Sequence, residues 1–250
     1  MSAFSIPKAA AALLEARRFR SAIALPGSGP SSAAEAFAVQ DAVAASLGPA
    51  GAWKVGTGGE AAPFTAAPIA AWLCRASPGV FGAGDFLRVG VEAEIAFRLG
   101  RDLGVDGHAP AEDEVRAAVV SLHAALEIVD SRFDTWPVPD PLWALADNQN
   151  NGGFVYTVPG VTWDGASLAE REATLVVNGD TVFSGLGRNP GGDPWALLQW
   201  LAGHAVARGG LRAGTLVTTG SLTGLVFVQP GAEVVAEIAG IGRVEVSLPA

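Results

Sequence analysis

Glu92 and Glu94 stand two residues apart in the apolar run Val91-Glu92-Ala93-Glu94-Ile95-Ala96-Phe97. Successive residues of an extended chain point to opposite faces, so both carboxylates emerge on one face. A second apolar run, Ala124-Ala125-Leu126-Glu127-Ile128-Val129-Asp130, embeds another glutamate. Carboxylates are rarely buried unless they are paired or hold a cation. Parallel carboxylates in a dry site repel, and a hard divalent cation with oxygen ligands removes that repulsion. Glu92, Glu94 and Glu127 therefore suggest a three-carboxylate site for Mg²⁺ or Mn²⁺.

Lysine is scarce: the chain has only Lys8 and Lys54 against fourteen arginines. Lys54 lies in Ala52-Trp53-Lys54-Val55-Gly56, an apolar, strand-like setting. An ammonium there can serve as acid, base or anion partner, because its pKa responds to burial. A strand-edge lysine that snorkels to water fits the same pattern.

The elements that must position these groups are mostly strands. Strands are expected at 52–56, 88–99, 122–130, 153–158, 173–177, 181–184, 215–220 and 233–248, the last bent into a hairpin near Gly240. Asn178-Gly179-Asp180 marks a tight turn. Helices are expected over 7–19, from the capping pattern Ser32-Ala33-Ala34-Glu35 to Leu47, over 112–120, and from Pro194 to Arg208. Residues 131–153 read as a long polar and aromatic connection, a kind of loop that is often functional or mobile. There is no internal repeat and no repeated βαβ unit.

Composition narrows the class. The chain has 250 residues and half of them are hydrophobic, enough for a large core. Charged residues make up 16%, which argues against disorder. A net charge of -9 disfavours nucleic acid as a partner. Cys74 stands alone, so an internal disulfide is excluded and a reducing compartment is expected. Lys8, Glu15, Arg17 and Arg18 interrupt the first residues, unlike a signal peptide. No apolar run reaches the ~18 residues of a membrane span. The expectation is a cytoplasmic protein without a membrane partner. Mean hydropathy is +0.33, so some apolar surface is expected to disappear into a homo-oligomer.

In order and spacing, several segments resemble one family. They are Ala36-Phe37-Ala38-Val39-Gln40, Trp53-Lys54-Val55-Gly56, the Glu92/Glu94 run, Ala125-Leu126-Glu127-Ile128-Val129-Asp130-Ser131-Arg132, Ala146-Asp147-Asn148, Thr219-Gly220-Ser221-Leu222-Thr223-Gly224 and the glycine-marked hairpin near Gly240. Together they resemble the 2-keto-4-pentenoate hydratase/4-oxalocrotonate decarboxylase branch of the fumarylacetoacetate hydrolase superfamily. The resemblance implies an α+β fold, a mixed β-roll or sandwich with a few peripheral helices. Residues 1–50 would form an N-terminal helical segment on a β-rich core at 51–250. It implies a Mg²⁺ or Mn²⁺ site at Glu92, Glu94 and Glu127, with Lys54 as the catalytic lysine. The implied substrate is a small 2-oxo or 2-hydroxydienoic acid.

Around that centre several roles stay open. Ser221 and Thr223 either bind a substrate carboxylate or form a turn. Arg132 either recognises a second carboxylate or pairs with Asp130 or Asp134. Asp147 and Asn148 either bind ligand or satisfy backbone groups. His123 lies near the Glu127 strand, as an outer partner of the metal site or a satisfied core residue. One departure is clear: the family's acidic residue has no counterpart in 70–80, and the 57–70 segment lacks the usual polar loop. The leading expectation is a metal-dependent hydratase of a 2-hydroxy-2,4-dienoate. Alternatives are a 2-oxo-enedioate decarboxylase, an acylpyruvate hydrolase, or a non-catalytic member that kept the fold.

Overall fold

A computed structural model of the chain describes residues 4–57, 62–82 and 84–248. The helices are α1 (Ile6–Phe19), α2 (Ala33–Leu47), α3 (Glu112–Ala118), α4 (Pro141–Ala146) and α5 (Pro194–His204). The first seven strands are β1 (Ala50–Thr57), β2 (Phe64–Ala70), β3 (Cys74–Ala76), β4 (Gly79–Val80), β5 (Gly90–Leu99), β6 (Val119–Val129) and β7 (Asn151–Tyr156). The rest are β8 (Glu170–Val177), β9 (Asp180–Arg188), β10 (Leu216–Ser221), β11 (Val226–Phe227), β12 (Ala232–Ile238) and β13 (Gly242–Leu248).

The strands make two mixed sheets. The larger runs β2-β1-β10-β5-β6-β7-β3, with β11 added to β5, and the smaller runs β4-β13-β12-β8-β9. The expected mixed β-sandwich with few helices is the architecture found. Its main core lies between the sheets, where Val91, Ala93, Ile95 and Phe97 of β5 and Leu122, Ala124, Leu126 and Ile128 of β6 meet Val234, Ala236, Val244 and Val246. Alternation then sends Glu92, Glu94 and Glu127 to the opposite face. That face is floored by small residues, Ala52, Ala96 and Ala125, beside Ile69, Phe154 and Leu216. Alanines leave the carboxylates room that larger side chains would fill.

The helices sit outside the strands. α1, α2 and α4 share a separate apolar cluster that includes Leu13, Val39, Phe133 and Trp143. Ser32 accepts the Glu35 backbone N–H, while Glu35 reaches back to Ser31 rather than to Ser32. α5 is capped by Asp193, turns into a 3₁₀ stretch over Ala205–Arg208, and stops at Gly209 with φ +91°. Asn178 (φ +52°) and Gly179 (φ +88°) carry the expected two-residue hairpin between β8 and β9.

Several expectations need correction. β2, β3, β4 and β11 fall outside the expected strands. The 131–153 stretch is a connection only over 131–140: beyond it come α4, a tight turn at Asn148–Asn150 and the start of β7. Two of its charged residues are interior, Arg132 at 1% and Asp147 at 2% exposed, whereas Asp134 is exposed and Asp140 half-buried. Of the alanine-rich 57–70 segment, positions 58–61 lie outside the described residues.

Candidate metal centre

Register brings the carboxylates together. β5 and β6 run antiparallel with Glu92 directly opposite Glu127 and Glu94 opposite Ala125. Ligand oxygens from Glu92, Glu94 and Glu127 all lie within 4.8 Å of one another. Lys54 lies on β1, three strands away through β10 and β5. Three strand spacings span roughly 14 Å of flat sheet, too far for the two side chains. Yet Lys54 Nζ lies 2.6 Å from Glu127 Oε1, so the sheet curls and this face is concave.

Each carboxylate has its own surroundings. Glu94 is buried, and its Oε2 accepts from the Thr218 hydroxyl and from the Gly220 backbone N–H at 3.2 Å. Gly220 can point that N–H inward because its φ is +93° and the β10–β5 register breaks between Thr218 and Ser221. Glu127 is fully buried, and its Oε1 accepts from Lys54 and, at 3.0 Å, from Asn151 Nδ2. Its Oε2 is buried with no hydrogen-bond partner. A buried carboxylate oxygen left bare is costly unless a cation meets it. That bare oxygen, two further carboxylates within reach and an all-oxygen donor set fit a hard divalent cation.

The electrostatics point the same way. Burial, and then the neighbouring Glu127 charge, push Glu92 up to about 7 and Glu94 up to about 8. Burial alone would lower the Lys54 ammonium, but the charges of Glu127, Glu92 and Glu94 and the hydrogen bond to Glu127 outweigh it, so its pKa rises. Lys54 also donates to the Gln149 carbonyl at 3.1 Å. A cleft of about 170 Å³ opens beside these groups, lined by Lys54, Glu92, Glu94, Gln149, Asn189 and Ser221 among others.

The remaining residues divide. Ser221 lines the cleft, and its Oγ accepts the Thr223 backbone N–H. Thr223 is used in the turn: its hydroxyl accepts the Ala93 N–H at 3.2 Å and donates to the Gly224 carbonyl. Arg132 and Asp147 are spent on each other rather than offered to a ligand. Asp147 accepts both Nε and the backbone N–H of Arg132, and Arg132 further donates to the Asn151 and Asp147 carbonyls. The ion partners of Arg132 are thus Asp147 and Asp130, not Asp134. Asn148 donates to the Pro68 carbonyl. His123 is a satisfied core residue, held by Ser121 and the Thr157 carbonyl. Sequence reasoning missed Thr218, Asn151 and Gln149. Nothing in their local pattern separates a polar residue that braces a carboxylate from one that ends a strand.

The profile for the fumarylacetoacetate (FAA) hydrolase C-terminal family matches residues 62–248. A 2-keto-4-pentenoate hydratase of Paraburkholderia xenovorans is 38% identical over 156 residues, covering 62% of this chain and 56% of that protein. A 2-keto-4-pentenoate hydratase of Dechloromonas aromatica is 35% identical over 166 residues, covering 66% of this chain and 62% of that protein. The matched stretch thus spans little more than half the length of these relatives. Among solved structures, 4-oxalocrotonate decarboxylase from Pseudomonas putida G7, complexed with magnesium and adipate, superposes with a TM-score of 0.81. That superposition covers 97% of this chain and 96% of the other at 23% identity, a likeness of fold.

Proposed function

This chain belongs to the fumarylacetoacetate hydrolase family, and from that membership we propose that it is a divalent-metal-dependent lyase. Its reaction adds water to a 2-hydroxy-2,4-dienoate such as 2-hydroxypenta-2,4-dienoate and yields a 4-hydroxy-2-oxo acid. Support comes from relatives of 32–38% identity that are named for such hydratases. The observation that carries the reading is the bare, buried Glu127 Oε2 within a three-glutamate cluster beside Lys54.

Glu92, Glu94 and Glu127 would hold Mg²⁺ or Mn²⁺. When bound, such a cation stabilises the enolate of a 2-oxo acid by withdrawing charge from its oxygens. Lys54 spends two of its three N–H donors on Glu127 and Gln149, leaving one for a substrate. The three glutamate charges raise its pKa in the metal-free chain, which makes it an ammonium there, a group able to stabilise negative charge or donate a proton. Ketonisation of the dienol puts a proton on C5 and leaves C3=C4 conjugated with the 2-oxo group. Water then adds its oxygen to C4 and a proton to C3. Thr218 and the Gly220 N–H keep Glu94 in place, and Asn151 does so for Glu127.

The reading includes a homo-oligomer. Its support is exposed apolar surface such as Phe227, which packs edge-on against Trp136. A second reading, decarboxylation of a 2-oxo-enedioate, draws on the decarboxylase fold likeness over 97% of the chain. Ultraviolet absorbance separates the two. With Mg²⁺ present, the dienoate band should fall and a chelator should stop the fall. Carbon dioxide released from an oxo-enedioate, with the dienoate untouched, would favour the second reading.

A further inference from the structure

Arg17, Arg20 and Arg75 line one cavity of about 80 Å³, together with Asp85. It shares no lining residue with the cleft at the metal centre. Three arginines against one acid give its wall a charge of +2, in a chain whose net charge is -9. Each guanidinium is tied to the wall, so the charged ends gather there and not only the stems. Arg17 Nη2 donates to the Asn151 carbonyl at 3.1 Å, next to Gly152 of the wall. Arg20 Nη2 donates to Asp85. Arg75 Nη1 donates to the carbonyl of Trp72 at 2.7 Å, and its guanidinium lies 5.0 Å from the Phe81 ring centroid; both partners are wall residues.

Arg17 lacks a counter-ion. It reaches in from α1, is half-buried, and has no ion pair among the described residues. The acids that favour its charge, Asp147 and Asp130, are already paired with Arg132. Burial, and then the Arg132 charge, push its pKa down to about 9. A guanidinium has five N–H donors. Arg17 uses Nη2, Arg20 uses Nη2, and Arg75 uses Nε and Nη1. Their other nitrogens have no acceptor among the described residues, and those of Arg17 and Arg75 are not sealed from solvent.

Forked guanidinium donors match the paired oxygens of a carboxylate or a phosphate. The rest of the wall decides between them. Leu73, Phe81 and Phe86 are apolar, which suits an anion with a hydrocarbon body and would leave outward oxygens of a phosphate unpaired. The volume is far below the ~300 Å³ of a drug-sized ligand site, which limits the guest to a few carbons. We propose that this cavity binds a small organic carboxylate, held by Arg17 and Arg75 with the exposed Arg20 at its mouth. The site is separate from the metal centre and does not depend on the reaction proposed above.

The test titrates butyrate, acetate and phosphate calorimetrically into the full chain stripped of metal, so that no cation at the glutamates can hold an anion. Butyrate should saturate one site per chain, about three- to tenfold more tightly than acetate because its tail is buried. It should also bind more tightly than phosphate, and its affinity should fall as salt rises. Arg17→Gln and Arg75→Gln should each weaken butyrate about tenfold or more, the worth of a hydrogen bond to a charged group. Arg75 sits on β3, at one end of the larger sheet, so its variant carries the test if Arg17→Gln does not fold. Absence of saturable butyrate binding, folded Arg75→Gln that binds butyrate as wild type does, or acetate or phosphate bound as tightly as butyrate overturns the proposal. None of these results bears on the metal-dependent reaction.

Discussion

Glu92 and Glu127 face each other across two paired strands, an arrangement that sheets ordinarily avoid because like charges directly opposite are destabilising. Both folded-state shifts, at Glu92 and Glu94, are upward from 4.5, to about 7 and about 8. An acid with a raised pKa binds its proton more tightly in the folded chain. Folded protein therefore carries more protons than unfolded protein between those values, and stability falls as pH rises through the window. The thermal midpoint of metal-free protein should drop as pH rises from about 5 to about 8, and stabilisation by added Mn²⁺ should grow over that range as protons cease to compete. A midpoint independent of pH would contradict the assignment. Lys54 plays a separable part, because its ammonium competes with a cation for Glu127. Lys54→Met should lower kcat by about 10²–10⁴-fold while Mn²⁺ affinity, read by titration, stays equal or rises.

Among the elements, β5 and β6 were legible because their residues alternate: apolar groups on one face, Glu92, Glu94 and Glu127 on the other. The placement of Lys54 was not legible from pattern alone, since its approach to Glu127 depends on sheet curvature and on a parallel β1–β10 pairing between distant segments. β2 escaped notice because Pro68 and several alanines dilute its strand signal. Its place at the sheet edge is what tolerates the proline. The 131–153 stretch misled for a different reason. Ser131, Arg132, Asp147 and Asn151 satisfy one another in the interior, through pairs that no local periodicity reveals. Arg132 and Asp147 are fifteen positions apart, and together they brace the backbone around Asn151, which in turn holds Glu127. Asp147→Ala would leave the Arg132 guanidinium buried with its main ion partner removed. The expected loss is about 3–5 kcal/mol of folding stability by denaturant titration; a change below about 1 kcal/mol, typical of an exposed pair, would show that the pair is not structural.

At the scale of the whole molecule, two sheets enclose the apolar core, and the larger one turns its outer, alanine-floored face into a shallow bowl for charge. Composition alone could give a large β-rich core and disfavour nucleic acid. The ordered series of short motifs supplied the family, and with it a site whose members come from β1, β5 and β6. The left-handed turn at Asn148–Asn150 lay beyond any such reading, because its conformation is imposed by contacts with Pro68, Thr65, Asp130 and Lys54. The central claim is that three glutamates form one cation site able to hold a 2-oxo acid. Electron paramagnetic resonance of Mn²⁺ titrated into metal-free protein tests it most directly. The account predicts a single tight site per chain whose spectrum changes on adding oxalate, and which is lost in folded Glu92→Gln, Glu94→Gln and Glu127→Gln variants. Wild-type protein that leaves Mn²⁺ free, or variants that bind it as tightly as wild type, would contradict it.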